Sequence, residues 1–288
     1  MPSVAIVTDT DSSLPASLTT HYRIQQVPIT VHFGEETFTT GVDIDDKALF
    51  ERIDRLGRLP STSAPSPKAF ASAYQAAFEE GSSSIVCICV SSKISATYNA
   101  ALTACEEFPG KNITVIDSLS VSMGQGFMAL AAAEAAQAGA SHEEVVARVH
   151  SVGRRAHLFA SLATVKYLAM SGRVGRIAAG MANMLNIRPI LTIREGKLEM
   201  LERVRTRKVA MERLVELVQE AVKGESIERA AILHVNNQLD AAQFEAKLRF
   251  HQPLPESLIT VEFTPGLSVH TGDGTIGIVV VTAERSGI

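Results

Sequence analysis

Apolar positions along the chain follow two rhythms. Short blocks rich in Val and Ile, namely VAIVTD (4–9), IQQVPITVHF (24–33), SIVCICV (84–90) and ITVIDS (113–118), end in polar or turn residues and predict strands. Between and after them, DKALFERIDRL (46–56), PKAFASAYQAAFEEG (67–81), SATYNAALTACEEF (95–108) and the Ala-rich run from Met123 to Gln137 predict helices. This alternation predicts a largely parallel sheet with helices on its faces, the arrangement in which ligands collect at the carboxyl ends of the strands.

After the helical SHEEVVARVHSVGRR (141–155) the pattern changes. Long strands RPILTIREGKL (188–198), RAAILHV (229–235), SLITVEF (257–263) and TIGIVVVTAE (275–284) mix with helices RKVAMERLVELVQEAV (207–222) and DAAQFEAKLRFH (240–251). A hairpin is expected to turn at Glu195 and Gly196. The division expected is a first α/β domain over 1–155 and a second over 156–288, with no repeat and no low-complexity linker between them.

With 288 residues, 46% hydrophobic and 20% charged, the chain has the composition of an ordinary globular protein. A net charge of -4 gives no reason to expect nucleic acid, which favours clustered Lys and Arg. One stretch departs from this: from Arg188 to Arg213 there are eight basic residues against four acidic. Such a run is either a solvated face or a surface that meets a phosphate or a partner. The chain reaches VAIV without a basic n-region or a long apolar h-region, so no secretory signal is expected and the cytoplasm is the expected location. No apolar run approaches the roughly eighteen residues of a spanning helix, so no stable membrane insertion is expected. Cys87 and Cys89, two apart in a strand, fall on one face and are expected as small buried hydrophobes. They lack the Cys/His partners that a metal site needs.

Several short motifs lose their meaning in context. GDGTIG (272–277) precedes a strand instead of following one, and GQGFMA (124–129) lies inside a predicted helix, whereas a dinucleotide fingerprint needs strand, turn and then helix. There is no GxxxxGKS/T and no GxSxG. The strand ending in DxD, VAIVTDTDSS, is like the start of a haloacid-dehalogenase-type phosphatase, with Asp9 as nucleophile, Asp11 as general acid and magnesium as counter-ion. No later acidic segment supplies the other metal ligands. The plainer expectation is that Asp11 and Ser12 cap a helix beginning near Leu14.

Four polar segments remain: TDTDSS (8–13), PSTSAPS (60–66), SSKISATY (91–98) and PGLSVHTGDG (265–274). Each alone reads as caps and turns, and Ser91 and Ser92 are expected in that role. Together with IDS (116–118), SGRVGRI (171–177) and RPILTIREGKL, their order and spacing resemble the DegV family of bacterial fatty-acid-binding proteins, over essentially the whole chain. Ala96 and Ser171 stand where that family usually has Gly, and Ser268 and Asp273 alter its last loop.

The resemblance implies an N-terminal three-layer α/β/α domain with a mainly parallel sheet and a C-terminal two-layer α/β domain with a mixed sheet. It implies a long-chain fatty acid such as palmitate or oleate lying between them in an apolar tunnel, for which Ile94, Leu168, Met181 and Leu185 are candidate lining residues or plain core. Thr62 and Ser95 would hold its carboxylate, and Ser95 is expected at the start of a helix, whose amides and dipole favour an anion. Hydroxyls are suitable donors for such a group, because a carboxylate withdrawn from water needs hydrogen bonds, and O–H donors to an ionised oxygen make short, strong ones. At about 0.8 kcal/mol per buried CH2, some fifteen carbons offer roughly 12 kcal/mol before ordering costs, so the head group need only orient.

The resemblance further implies a carrier without a catalytic residue, metal or cofactor of its own. It would present the carboxylate to a separate ATP-dependent kinase subunit that makes an acyl phosphate. His270, Thr271, Arg173, Arg176, Arg203 and Arg205 are candidate head-group or partner contacts, because phosphoryl transfer depends on positioning and charge neutralisation. A regulatory module whose lipid merely stabilises the fold is the other alternative.

Overall fold

In the computed structural model, residues 4–172 and 187–284 are described. The chain divides into two compact units. The first comprises residues 1–43, 62–154 and the turn 195–197; the second comprises 44–61, 155–194 and 198–288.

The first unit is built on a parallel sheet of β1 (Val4–Asp9), β2 (Ile24–Val27), β6 (Ser84–Cys89) and β7 (Asn112–Asp117), in the order β2-β1-β6-β7. Every β6 residue is buried, as a central strand covered on both faces must be. Ile85, Cys87 and Cys89 on one face join Phe70, Tyr74, Ala101 and Ala104 from α3 (Pro67–Glu79) and α4 (Thr97–Ala104). The two thiols lie side by side with Sγ atoms 3.7 Å apart. Burial pushes the Tyr74 hydroxyl well above the usual range, aided by the neighbouring thiols. On the other face α5 (Met123–Gln137) packs against β1 and β6; its residues from Met123 to Ala133 are buried on every side. The first unit also holds α1 (Ala16–Tyr22) and α6 (His142–Arg155).

A small second sheet, β4-β3-β5, consists of β3 (Thr30–Phe33), β4 (Glu36–Thr39) and the short β5 (Ser61–Ser63). The expected single strand IQQVPITVHF is thus two strands in two sheets. Pro28 divides them, since it has no N–H to continue a ladder.

The second unit carries a mixed six-stranded sheet, β10-β9-β8-β13-β11-β12. Its strands are β8 (Ala156–Ser161), β9 (Arg188–Arg194), β10 (Lys197–Val204), β11 (Ile227–His234), β12 (Ile259–Glu262) and β13 (Ile276–Thr282). β8 pairs antiparallel with β9 and β13, β13 antiparallel with β11, and β11 parallel with β12. Two helices, α8 (Arg207–Val222) and α9 (Gln238–His251), bury Leu214, Val218, Phe244 and Leu248 against Ile232, Ile278 and Val280 of the sheet. Here also are α2 (Asp46–Leu56), α7 (Lys166–Ser171) and α10 (Pro265–Thr271), with α10 packed on both α2 and α7. Phe50 of α2 meets the Tyr167 ring edge-on, with centroids 5.9 Å apart.

Candidate functional site

At the carboxyl end of β1 lies a buried polar cluster. Asp9, fully buried, accepts from the backbone N–H of Asp11 (2.9 Å) through Oδ1, and from Val90 N (2.8 Å) and Gln125 Nε2 (3.0 Å) through Oδ2. Burial outweighs these bonds and pushes its carboxyl up to about 6. Gln125 Nε2 also reaches Thr8 Oγ1 at 2.9 Å, and so ties α5 to β1. The second glycine of GQG serves this close approach: a Cβ on Gly126 would come within 2.6 Å of the Ser12 carbonyl oxygen.

Two expectations change here. Asp9, not Asp11, is the capping residue, and it caps a single 3-10 turn at Thr10–Ser12; α1 begins only at Ala16, after Pro15. The phosphatase alternative fails on the geometry of Asp9. A carboxylate with no exposed surface, held on both oxygens by protein N–H donors, is not presented to a phosphate as a nucleophile must be.

The same bonds position the loop that follows β6. Val90 N is held by Asp9, Ser92 N by Asp117 Oδ1 at 3.1 Å, and Ser91 N by the Ser120 carbonyl at 3.0 Å. Ser91 organises the rest. Its carbonyl accepts from both Ile94 N and Ser95 N at 3.1 Å, and its hydroxyl donates to Gly196 O at 2.8 Å while accepting from Lys93 N at 3.2 Å. Ser91 therefore closes a loop onto the turn 195–197, in place of the expected helix cap. Ser92 does not cap a helix either: its N–H completes the Asp117 turn.

Ser95 lies two residues before α4, whose first helical residue is Thr97. It is half-buried, and its Oγ sits 2.8 Å from Thr97 Oγ1 and 3.3 Å from Thr97 N. Thr62, also half-buried, is the middle residue of β5, and it belongs with Ser95 to the first unit. Ile94, next to Ser95, is half-buried as well. Leu168 is 2% exposed and packs with Ala160, Leu162 and Leu191 in a core cluster of the second unit.

The remaining candidates divide by position. His270 and Thr271 end α10 in the second unit and are both half-buried; Thr271 Oγ1 donates to Leu267 O at 3.3 Å. The helix carrying them, unexpected from the sequence, is anchored by Ser268, whose hydroxyl donates to Asp46 Oδ2 at 2.7 Å. Gly272 stops it, in contact with the Tyr167 ring. Arg203 and Arg205 are exposed at the end of β10, and Arg203 Nε contacts Met200 Sδ at 3.3 Å. Arg173, Arg176, Met181 and Leu185 lie outside the described residues.

Comparison with known proteins matches residues 3–283 to the model of the family described as "Uncharacterised protein, DegV family". The chain belongs to the DegV family. A DegV domain-containing protein of Streptomyces coelicolor is 34% identical over 96% of this chain and 98% of its own. Among solved structures, one described as "Fatty Acid Binding of a DegV family Protein from Thermus thermophilus" superposes with a TM-score of 0.90. It is 32% identical, and the alignment covers 98% of this chain and 100% of that one. "DegV, a fatty acid binding protein from Bacillus subtilis" superposes with a TM-score of 0.86 at 28% identity, covering 98% and 100%.

The DegV fold thus accounts for both units, the parallel sheet and the mixed one. Among the described residues no helix is long and apolar enough to cross a membrane. Sequence reasoning does not find Thr97, Ser91 with Gly196, or Asp46 with Ser268 as functional pairs. The first is visible as two hydroxyls spaced by one residue in SATY; the others join residues too far apart in sequence for any local pattern.

Proposed function

We propose that this DegV protein binds a long-chain fatty acid, of the palmitate or oleate class, by an apolar enclosure of the acyl chain and a hydroxyl pair, Thr62 and Ser95, at the carboxylate. One observation carries the reading: a protein 32% identical along its whole length, with a TM-score of 0.90, is described as fatty-acid-binding. The local geometry supports it. Ser95 is half-buried beside the start of α4, on a loop held by Asp9, Asp117 and Gly196, so its hydroxyl is presented from a fixed frame. Most of the affinity comes from apolar burial, as the acyl chain alone offers about 0.8 kcal/mol per CH2.

In this reading the protein is a carrier that contributes no catalytic group. It presents the carboxylate to an ATP-dependent kinase subunit, which transfers a phosphoryl group to one carboxylate oxygen and yields an acyl phosphate for lipid metabolism. The exposed Arg203 and Arg205, with His270 and Thr271, supply polar and cationic contacts for that partner or for the charge that develops on transfer. Use of ATP places the step in the cytoplasm.

Denaturing mass spectrometry of the purified protein tests the first part: a stoichiometric fatty acid should be released. Absence of a released acid, together with failure to bind added palmitate or oleate, would sink the proposal. Phosphorylation of the bound acid by a cognate kinase subunit separates the carrier from a regulatory module.

A further inference from the structure

Thr97 is fully buried, and the only hydrogen-bond partner of its hydroxyl among the described residues is Ser95 Oγ, 2.8 Å away. Either oxygen satisfies the distance as donor, but burial decides the direction. If Ser95 donated, the Thr97 proton would be enclosed in protein with no acceptor, the arrangement that costs most among buried polar groups. Thr97 therefore donates. The backbone N–H of Thr97 also donates to Ser95 Oγ, at 3.3 Å.

A serine hydroxyl has two acceptor positions and one proton. Both acceptor positions of Ser95 are filled by Thr97, one by its amide and one by its side chain. Its proton is what remains, on a half-buried side chain, and among the described residues no acceptor takes it, which leaves it for a bound ligand.

We infer that Thr97 is a positioning residue that holds the Ser95 hydroxyl as a pure donor, so that the site selects an ionised carboxylate over a neutral head group. The inference rests on the assignment of Ser95 to the head group made above. An ionised carboxylate offers acceptors alone, and it strengthens a donor's bond relative to a neutral oxygen. The donation from Thr97 polarises the Ser95 O–H further in the same direction. Thr97 itself need not touch the ligand.

The test compares palmitate with hexadecanol, ligands with the same chain length and different heads, on Thr97→Val, Thr97→Ser and Ser95→Ala. Thr97→Val keeps the shape and removes the donor. It should weaken palmitate about tenfold and hexadecanol less than about twofold, as for loss of one oriented hydrogen bond to a charge. Thr97→Ser should restore the palmitate preference, and in a Ser95→Ala background Thr97→Val should have no further effect. An unchanged preference in Thr97→Val, or equal weakening of both ligands, overturns the inference. So does an additive effect in the Ser95→Ala background. If Ser95→Ala itself leaves palmitate binding unchanged, the head-group assignment fails instead. Should Thr97→Val not fold, Thr97→Ala against Thr97→Ser makes the same comparison.

Discussion

The hydroxyl of Ser268 donates to Asp46 Oδ2 across 2.7 Å, with both side chains buried and 222 positions apart in the chain. Asp46 opens α2 and Ser268 sits inside α10, so this bond fixes the helix that carries His270 and Thr271. Burial pushes the Asp46 carboxyl up to about 8; Glu262, Asp45 and Asp273 add negative potential, and the Ser268 bond opposes them. The native state therefore favours the protonated acid. That contribution to stability is complete below the ordinary carboxylate value of 3.8 and is lost as pH rises through about 8. Asn mimics the protonated acid and still accepts from Ser268. Asp46→Asn should raise stability at pH 9 by on the order of 2–4 kcal/mol and leave it nearly unchanged at pH 4, as read by urea denaturation at the two pH values. A pH dependence equal to that of the parent protein would refute the assignment.

Asp9 should behave in the opposite way on the same substitution. Its carboxyl is also raised by burial, to about 6, so its ionisation too costs stability as pH rises from about 4 to 6. All three of its bonds, however, are accepted from N–H donors. An Asn amide would direct its own N–H groups at one or more of them. Asp9→Asn is expected to destabilise by about 2–3 kcal/mol at pH 7 and to speed hydrogen exchange at the Asp11 amide, because the one remaining oxygen serves the two donors at Oδ2 and Asp11 N loses its acceptor.

The proposed head-group pair gives the most direct functional prediction. Thr62→Ala with Ser95→Ala should weaken palmitate by about two orders of magnitude, the loss of two charge-assisted hydrogen bonds at a half-buried site. The thermal midpoint should stay within a few degrees, since neither hydroxyl lies in a core cluster. Equal affinity in the double variant would remove both residues from the site.

Gly196 gives a prediction about the scaffold. Both turn residues have positive φ, Glu195 at 49° and Gly196 at 77°, as a two-residue type I′ hairpin turn requires. A Cβ on Gly196 would come within 2.5 Å of Ser91 Oγ and 2.9 Å of Leu119 Cδ2. Gly196→Ala should cost about 1–3 kcal/mol, from the strained φ and from displacement of the Ser91 hydroxyl. It should also weaken fatty acid binding, because Ser91 carries the loop that presents Ser95. Ser91→Ala should reproduce the binding loss without the backbone strain, as titration with palmitate would show.

Local signals in the sequence are enough for most of the elements. The spans expected for α2, α5 and α8 agree with the structure to the residue, since apolar spacing and caps for α2 and α8, and a long Ala-rich composition for α5, are all local. Two failures have plain causes. The apolar pattern of IQQVPITVHF runs straight through Pro28, although proline cannot continue a ladder. The segment of α10 reads as a polar loop because it is only seven residues long, opens on Pro265 and Gly266 and ends at Gly272, so it is too short to show an amphipathic stripe. The hydroxyls of SSKISATY are visible as a group, but their separate duties are not. Ser91 serves the turn at 195–197, Thr97 orients Ser95, and only contacts and burial distinguish these roles.

The crossing of the chain between its units has a practical result for anyone dividing the protein. A cut after residue 155 leaves α2, with Asp46 and Phe50, on the N-terminal fragment, while their partners Ser268 and Tyr167 are on the other. The same cut takes Gly196 away from Ser91. Neither fragment contains a whole folding unit, so each should be unstable alone, and mixing the two should restore structure that neither has by itself.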